Sequence, residues 1–334
     1  MNASLSVRPD LFRQGVITAL ACWLAVVLAF CAHLDNPWWA AISAWVIAHP
    51  ERQAVLAKGL SRVIGTLIGW LTGCCLAFLV EGAPVMQILM MFVAAAAGAY
   101  GRYRSKQSYA WTIGAVGTLI VLSISLETPG HVYHLAWYRA LEILCGVLAA
   151  TLVEFMFARA PNSSAAASPK AALLDRSIAL RIAAISGITM TLIPMLWAWL
   201  SLPALTQIVA SSFVVLDRDI AATSSRGLQR LLGCFAGGAL GLLAVRLGPD
   251  SFFIWSIALL SGIFLFAQLH HSTSHWAYVG TQGGVAFILA LITGTGPPDS
   301  ILPAIDRIAG MLCGVLILLG VCRVVGYPRS EVRS

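Results

Sequence analysis

Charge placed inside apolar sequence is where this chain could do chemistry. Arg139 and Arg307 stand at corresponding places in the two halves, each at the opening of a long apolar run and each with an acid nearby, Glu142 for the first and Asp306 for the second. A guanidinium in such a run is costly, and usually faces a bundle interior or a watery cavity. There it can take a carboxylate through two parallel hydrogen bonds; a structural ion pair reaching out to the interface is the alternative. Glu142 and Glu154 are the carboxylates set well within apolar sequence of the first half. Twelve residues apart, they are separated by about 18 Å along one helix, too far to act as a pair. A buried carboxyl there is a candidate to carry a coupling proton, although Glu154 equally reads as a group reaching the surface.

Two short apolar segments, Trp38–Ala48 and Ala204–Leu216, begin next to a proline and end in charged turns, Glu51-Arg52 and Asp217-Arg218-Asp219. As helices, neither is long enough to cross a bilayer. Short, proline-flanked segments in corresponding places of two repeats point to a transport site. Trp38 and Trp39 suit the membrane–water interface, whereas Trp45 lies one to two turns deeper and offers a face to a ring-bearing substrate. Just beyond each segment, Lys58 with Arg62 and Arg226 with Arg230 fall four residues apart on one helix face. They could gather an anion at the cytoplasmic side or bind lipid phosphates. His270, His271 and His275 occupy the place of the basic loop Arg102, Arg104 and Lys106, and read as its replacement rather than as a metal site. The eight cysteines form no CxxC pair and read as small packing residues. No nucleotide-binding loop or helical zinc motif is present. The expectation is no catalytic residues, no metal, no cofactor and no enzyme.

The elements that must hold these residues follow from composition. Charged residues make up 10% of the chain, against roughly a quarter in soluble domains, and mean hydropathy is +0.85. Segments such as Val85–Ala99 are apolar on all faces, which favours helices over the alternating strands of a barrel. Apolar runs predict spans at 15–32, 38–48, 63–80, 85–99, 109–126 and 138–157, then at 178–200, 204–216, 231–247, 251–268, 276–292 and 303–324. Val16–Ala32 is read as the first span and not as a removed leader, since no small-x-small cleavage site follows it. Lys58-Gly-Leu-Ser-Arg62-Val-Ile-Gly65 returns as Arg226-Gly-Leu-Gln-Arg230-Leu-Leu-Gly233, and Cys145-Gly-Val-Leu148 as Cys313-Gly-Val-Leu316, at one offset. The pattern predicts an all-α polytopic membrane protein of about twelve transmembrane helices, in two parallel six-helix repeats with no sizeable soluble domain. The first repeat is 1–158, followed by a cytoplasmic linker at 159–177. The second repeat is 178–325, and the cytoplasmic tail is 326–334. Of the 21 Lys and Arg, all but Arg139, Arg246 and Arg307 fall on one side, which sets both termini in the cytoplasm. The net charge of +7 is thus topological, with the bilayer as partner and no nucleic acid implied.

Asn36-Pro37-Trp38-Trp39-Ala40-Ala41-Ile42, His49-Pro50 and Lys58-Gly59-x-x-Arg62-x-x-Gly65-Thr66-x-x-Gly69 together resemble the fusaric acid resistance family, which is related to the aromatic acid exporters of bacterial inner membranes. The second half keeps Arg226-Gly227-x-x-Arg230-x-x-Gly233 but has Leu202-Pro203-Ala204-Leu205 and Cys234 where the first has the tryptophan block and Thr66. The resemblance implies proton-linked efflux of small aromatic or hydrophobic carboxylic acids or related toxic compounds. It also implies a small organic anion as substrate and, as in some relatives, a periplasmic adaptor protein; a homo-oligomer is a separate expectation. Plant malate-type channels are distantly related in pattern, so a passive organic-anion channel is an alternative. Larger members carry extended cytoplasmic domains after each six-helix block, where this sequence has 159–177 and 326–334; a non-transporting subunit of an efflux assembly is therefore a third reading.

Overall fold

The computed structural model describes residues 9–157, 173–247, 251–292 and 302–326. The first half forms α1 (Pro9–Cys31), α2 (Trp38–Ile47), α3 (Arg52–Leu79), α4 (Pro84–Arg104), α5 (Ser108–Glu127) and α6 (Val132–Phe157). The second forms α7 (Arg176–Leu200), α8 (Leu205–Val215), α9 (Ile220–Arg246), α10 (Phe252–His270), α11 (Ala277–Leu291) and α12 (Leu302–Val325). Local chemistry sets several of these starts. Pro84 opens α4 in the first turn, where its missing N–H is no loss. The Asp175 carboxylate accepts the Ser177 N–H at 3.2 Å, and Ser251 Oγ accepts the Ile254 N–H at 3.3 Å, capping α7 and α10.

Among the described residues nine helices are long and apolar enough to cross a membrane, while α2, α8 and α11 are shorter. The all-helical, polytopic expectation therefore holds. Several boundaries differ, among them the starts of α1 at Pro9 rather than 15 and of α6 at Val132 rather than 138, whereas α11 falls within a residue of its expected bounds. Helix α3 starts at Arg52 rather than 63 and α9 at Ile220 rather than 231, because Lys and Arg are good helix formers and the backbone continues past the point where the sequence turns polar. Helix α11 has 15 residues, entered through the polar turn Ser272–Ser274. Most of the linker at 159–177, and the tail beyond Gly326, lie outside the described residues.

The chain forms two compact units, and each draws on both halves of the sequence. The first holds α1, α2, α10 and α11, with the opening turns of α3 and the later parts of α6 and α9. In it α1 lies along α10. Phe12 meets Phe264 edge-on at 5.1 Å, and Trp23 Nε1 donates to Ser256 Oγ at 2.9 Å. Helix α2 is buried on most of its surface through Ala40, Ala41, Ser43, Ala44 and Trp45.

The second unit holds α4, α5, α7, α8 and α12, with the rest of α3, α6 and α9. Gly187 of α7 sits beneath the Phe92 ring of α4. Thr118 Oγ1 on α5 donates to the Gly69 carbonyl of α3 at 2.9 Å. The glycine rows of α3 and α9 make the same kind of contact, one in each unit. A Cβ on Gly69 would strike the Gly114 carbonyl oxygen on α5, and one on Gly237 the Gly283 carbonyl oxygen on α11. Close backbone approach of this kind is how membrane helices gain dispersion energy without a hydrophobic drive between them.

Gly237→Val should therefore destabilise the solubilised protein by about 1–3 kcal/mol through overpacking. Gly238→Val, on the same helix with open space around it, should leave the thermal midpoint near wild type.

Candidate functional site

Both short helices end in the same way. Ala48 after α2 (φ −51, ψ 127) and Leu216 after α8 (φ −52, ψ 125) leave helical geometry while their N–H groups still bond back to Ala44 and Ser212. His49 then precedes Pro50, which disfavours further helix. After α8, Asp219 Oδ1 accepts the Ala222 N–H at 2.8 Å and starts α9. Nine residues on from His49 comes Lys58, and nine on from Asp217 comes Arg226.

In the second unit this turn is closed by charge. Asp217 Oδ2 pairs with Arg226 Nε at 2.7 Å, and Asp217 Oδ1 accepts the Arg218 N–H at 2.7 Å. Tyr103, from the end of α4, donates its hydroxyl to the Leu216 carbonyl at 3.3 Å, over a buried Phe213.

In the first unit the matching turn has His49 in place of Asp217, with Glu51 two residues on. Trp45 is wholly buried; its Nε1 donates to the Thr281 carbonyl at 3.0 Å, and its ring stacks on His270 at 4.8 Å. His270 Nδ1 pairs with Thr281 Oγ1 at 2.7 Å, and His271 Nε2 with Thr18 Oγ1 at 2.8 Å. The two imidazoles lie 4.6 Å apart. His49 Nδ1 accepts the Glu51 N–H at 3.1 Å. Lys58 is within electrostatic reach of His49, His270 and His271. Among the described residues, Glu51 is the carboxylate that acts on this cluster, at His49, and it is itself exposed. Burial, then the Lys58 charge, hold His49 below the usual imidazole range, with Glu51 pulling the other way. Burial, helped by His270, His49 and Lys58, brings His271 down to about 3. The cluster thus sets three imidazoles within electrostatic reach of Lys58, with Glu51 as the acid acting on it.

The other residues singled out by sequence fall as follows. Glu142 is wholly buried and accepts the Asn36 N–H at 2.7 Å, which holds the segment leading into α2. Glu127, which the sequence reading passed over, serves the segment leading into α8, accepting the Leu205 N–H at 2.7 Å and the Thr206 hydroxyl at 2.8 Å. Glu154 is buried and accepts from Gln14 Nε2 at 3.1 Å. Arg52 donates to the Phe155 carbonyl at 2.9 Å with its guanidinium 4.1 Å from that ring, and Arg13 donates to the Phe157 carbonyl. These two cations complete the C-terminus of α6. Arg62 and Arg230, expected at a membrane entrance, are buried; Arg62 donates to the Tyr109 hydroxyl at 3.1 Å and Arg230 to Ser211 Oγ at 3.3 Å. Arg139 is buried in the second unit, its guanidinium 6.0 Å from the Trp70 ring. Arg218 and Asp306 are exposed, and Arg307 lies on α12 with its side chain outside the described residues. An apolar cavity of about 490 Å³ lies among α3, α4 and α5, walled by small residues including Gly65, Gly98 and Ala115, with Trp111 beside them.

The model of the fusaric acid resistance protein family matches residues 15–191, and one described as fusaric acid resistance protein-like matches 190–321. The chain belongs to the fusaric acid resistance protein family. Among curated relatives, the p-hydroxybenzoic acid efflux pump subunit AaeB of Musicola paradisiaca (strain Ech703) is 26% identical over 168 residues, covering 47% of this chain and 25% of the relative. The protein of the same name from Escherichia coli O1:K1 / APEC is 27% identical over 163 residues, 46% of this chain and 25% of the relative. The chain thus spans about a quarter of the length of these relatives. No solved structure matches it.

Family membership draws attention back to the tryptophan block and the His49–Lys58 turn, both carried by the first half. The sequence reading placed His270 and His271 in a basic loop, whereas they are the last residue of α10 and its cap, folded inward against Trp45 and Thr18. The available signal was the constant offset between the halves, which sets them on Arg102 and Tyr103.

An exposed histidine titrates near 6.5, so His271, held at about 3, favours the folded state fully above that value and less as pH falls toward 3. The loss is up to about 1.4 kcal/mol per pH unit. Thermal unfolding of the solubilised protein should show a midpoint that drops between about pH 7 and 5, and a shallower drop in His271→Gln.

Proposed function

We propose that this protein exports small aromatic or hydrophobic carboxylic acids across the bacterial inner membrane in exchange for protons, with both termini in the cytoplasm. The observation that carries this is the family match over residues 15–191 on a chain rich in membrane-crossing helices. The curated relatives are named as efflux pump subunits for p-hydroxybenzoic acid, which supports both the substrate class and assembly with a further component, either a periplasmic adaptor or other copies of the chain. A tandem duplication underlies the scaffold on this view. Its support is the recurrence of matched contacts: Gly69 on Gly114 and Gly237 on Gly283, Gly146 under the Ala40 carbonyl and Gly314 under that of Ile208.

Substrate moves past the end of the short helix α2, where Lys58 supplies cationic character, and leaves by way of Arg139 and Arg307. Glu142 is the stronger of the two coupling candidates. Its carboxylate holds the Asn36 N–H at the approach to α2, so protonation there would loosen the helix that carries Trp45. Glu154 acts in the same sense between α6 and α1 through Gln14.

Everted membrane vesicles energised to an acid interior should accumulate p-hydroxybenzoate, against the direction in which a weak acid distributes passively. A protonophore should abolish the accumulation, and Arg139→Gln should cut its initial rate by roughly tenfold or more. Movement indifferent to the protonophore would overturn the coupled mechanism in favour of a channel.

A further inference from the structure

The turn after α8 carries Asp217 where the turn after α2 carries His49, while Glu51 and Asp219 stand at a second pair of matching positions. In the second unit both oxygens of Asp217 are occupied, one by Arg226 and one by the Arg218 N–H. The residues around that carboxylate have counterparts in the first unit, at the same offset that relates the two halves of the sequence. Lys58 matches Arg226, His49 matches Asp217, His271 matches Tyr103 and Trp45 matches Phe213. The cation, the ring from the opposing helix and the buried aromatic floor are all retained. The acid is replaced by a base.

This exchange leaves the first unit electrostatically incomplete. A partly buried ammonium ordinarily has a counter-charge or several acceptors, since desolvation alone disfavours it. Three imidazoles lie within its electrostatic reach, bringing flat rings but no negative charge, and the exposed Glu51 acts on His49. The donor that Arg218 gives Asp217 has no counterpart either, because Pro50 stands at the matching position and has no N–H. Trp45 stacks on His270, His271 is tilted beside it, and hydrogen bonds to Thr281 and Thr18 hold the three rings.

We propose that Lys58, His49, His270 and His271 form the binding site for the carboxylate of an aromatic acid, which takes the place that Asp217 fills with the chain's own acid in the second unit. The site rests on the transporter function proposed above and specifies where that function's substrate is held. It also gives a stoichiometry. Among the described residues there is one such site, because the second is occupied from within. The planar imidazole faces select a flat, ring-bearing acid over an aliphatic one. The ammonium, with three donors on a flexible stem, meets the carboxylate as a point charge and does not need the bidentate geometry of an arginine.

The test is equilibrium binding of radiolabelled benzoate to the full chain in nanodiscs of zwitterionic lipid. One benzoate per chain is expected, and benzyl alcohol, with the same ring and no charge, should fail to compete. Lys58→Met should weaken binding roughly tenfold or more, while Lys58→Arg retains most of it. Asp217→Asn should add a second benzoate site, lost again when Arg226→Met is combined with it. Circular dichroism checks that each variant is folded, and Asp217→His, which copies the residue of the first unit, substitutes for Asn if that variant is not. Binding unchanged by Lys58→Met, or a stoichiometry unchanged in folded Asp217 variants, would overturn the proposal. So would displacement of benzoate by phosphatidylglycerol with no effect of benzoate on bound lipid, which would make the cluster a headgroup site. Vesicle transport of aromatic acids that survives Lys58→Met would sink this site and leave the transporter standing. No transport by wild type would remove the function beneath it.

Discussion

A helix that stops inside an apolar protein leaves four N–H groups at one end and four carbonyls at the other without intrahelical partners, and in hydrocarbon no water replaces them. Helices α2 and α8 both stop short in this way, with 10 and 11 residues. The structure meets that demand with carboxylates at their approaches, Glu142 on the Asn36 N–H and Glu127 on the Leu205 N–H. Buried acids in a membrane helix are costly, and here the cost is offset by fixing where each short helix begins. Glu127 also secures a backbone in which Ala204 takes a left-handed conformation at φ 47. At the far ends, polar side chains gather where the chain has to turn. The polar clusters of the protein are therefore consequences of two interrupted helices.

Given that scaffold, one position carries two chemistries. Where Asp217 meets Arg226 the turn is neutral and closed. At the matching place His49 faces the field of Lys58 without an acid at its own position, and burial holds His271 uncharged. A single change from acid to base at the residue after the short helix thus decides whether a turn is a structural clasp or a place for an outside anion. The surrounding fold does not need to change, because the same nine-residue step returns the cation to the turn in both units.

Much of this was legible in the sequence and some was not. The long helices followed from apolar runs, and the two interrupted ones from their length and flanking prolines. Glycine spacing announced close packing, which the Gly69–Gly114 and Gly237–Gly283 contacts show. The starts of α3 and α9 were missed because hydropathy registers Lys58, Arg62, Arg226 and Arg230 as breaks, while the backbone registers them as helix formers. Arg62 and Arg230 were placed at an entrance for the same reason, although neighbouring Tyr109 and Ser211 allow them to be buried. The interleaving of both halves in each unit was not legible, since periodicity gives the face a helix buries and not the partner it buries it against. His270 and His271 were set aside as loop residues because their partners, Thr18 and Trp45, lie in another part of the chain, more than two hundred residues away.

The glycines that follow the two cations connect packing to chemistry. Gly59, directly after Lys58, lies where a Cβ would press on Val147 at 3.1 Å and approach Ile47 at 3.8 Å. Gly227, directly after Arg226, lies against Val315 and Val215 in the same manner, the nearer contact at 2.8 Å. In each case the long helix lies close against a neighbour, α6 or α12, because that residue has no side chain. The register of the long helix is then set by that approach, and with it the height at which the cation meets the turn. Lys58, directly before Gly59, is thereby kept within electrostatic reach of His49, His270 and His271. The glycine rows farther along α3 and α9 extend the same constraint, so that packing without side chains positions the side chains that carry charge.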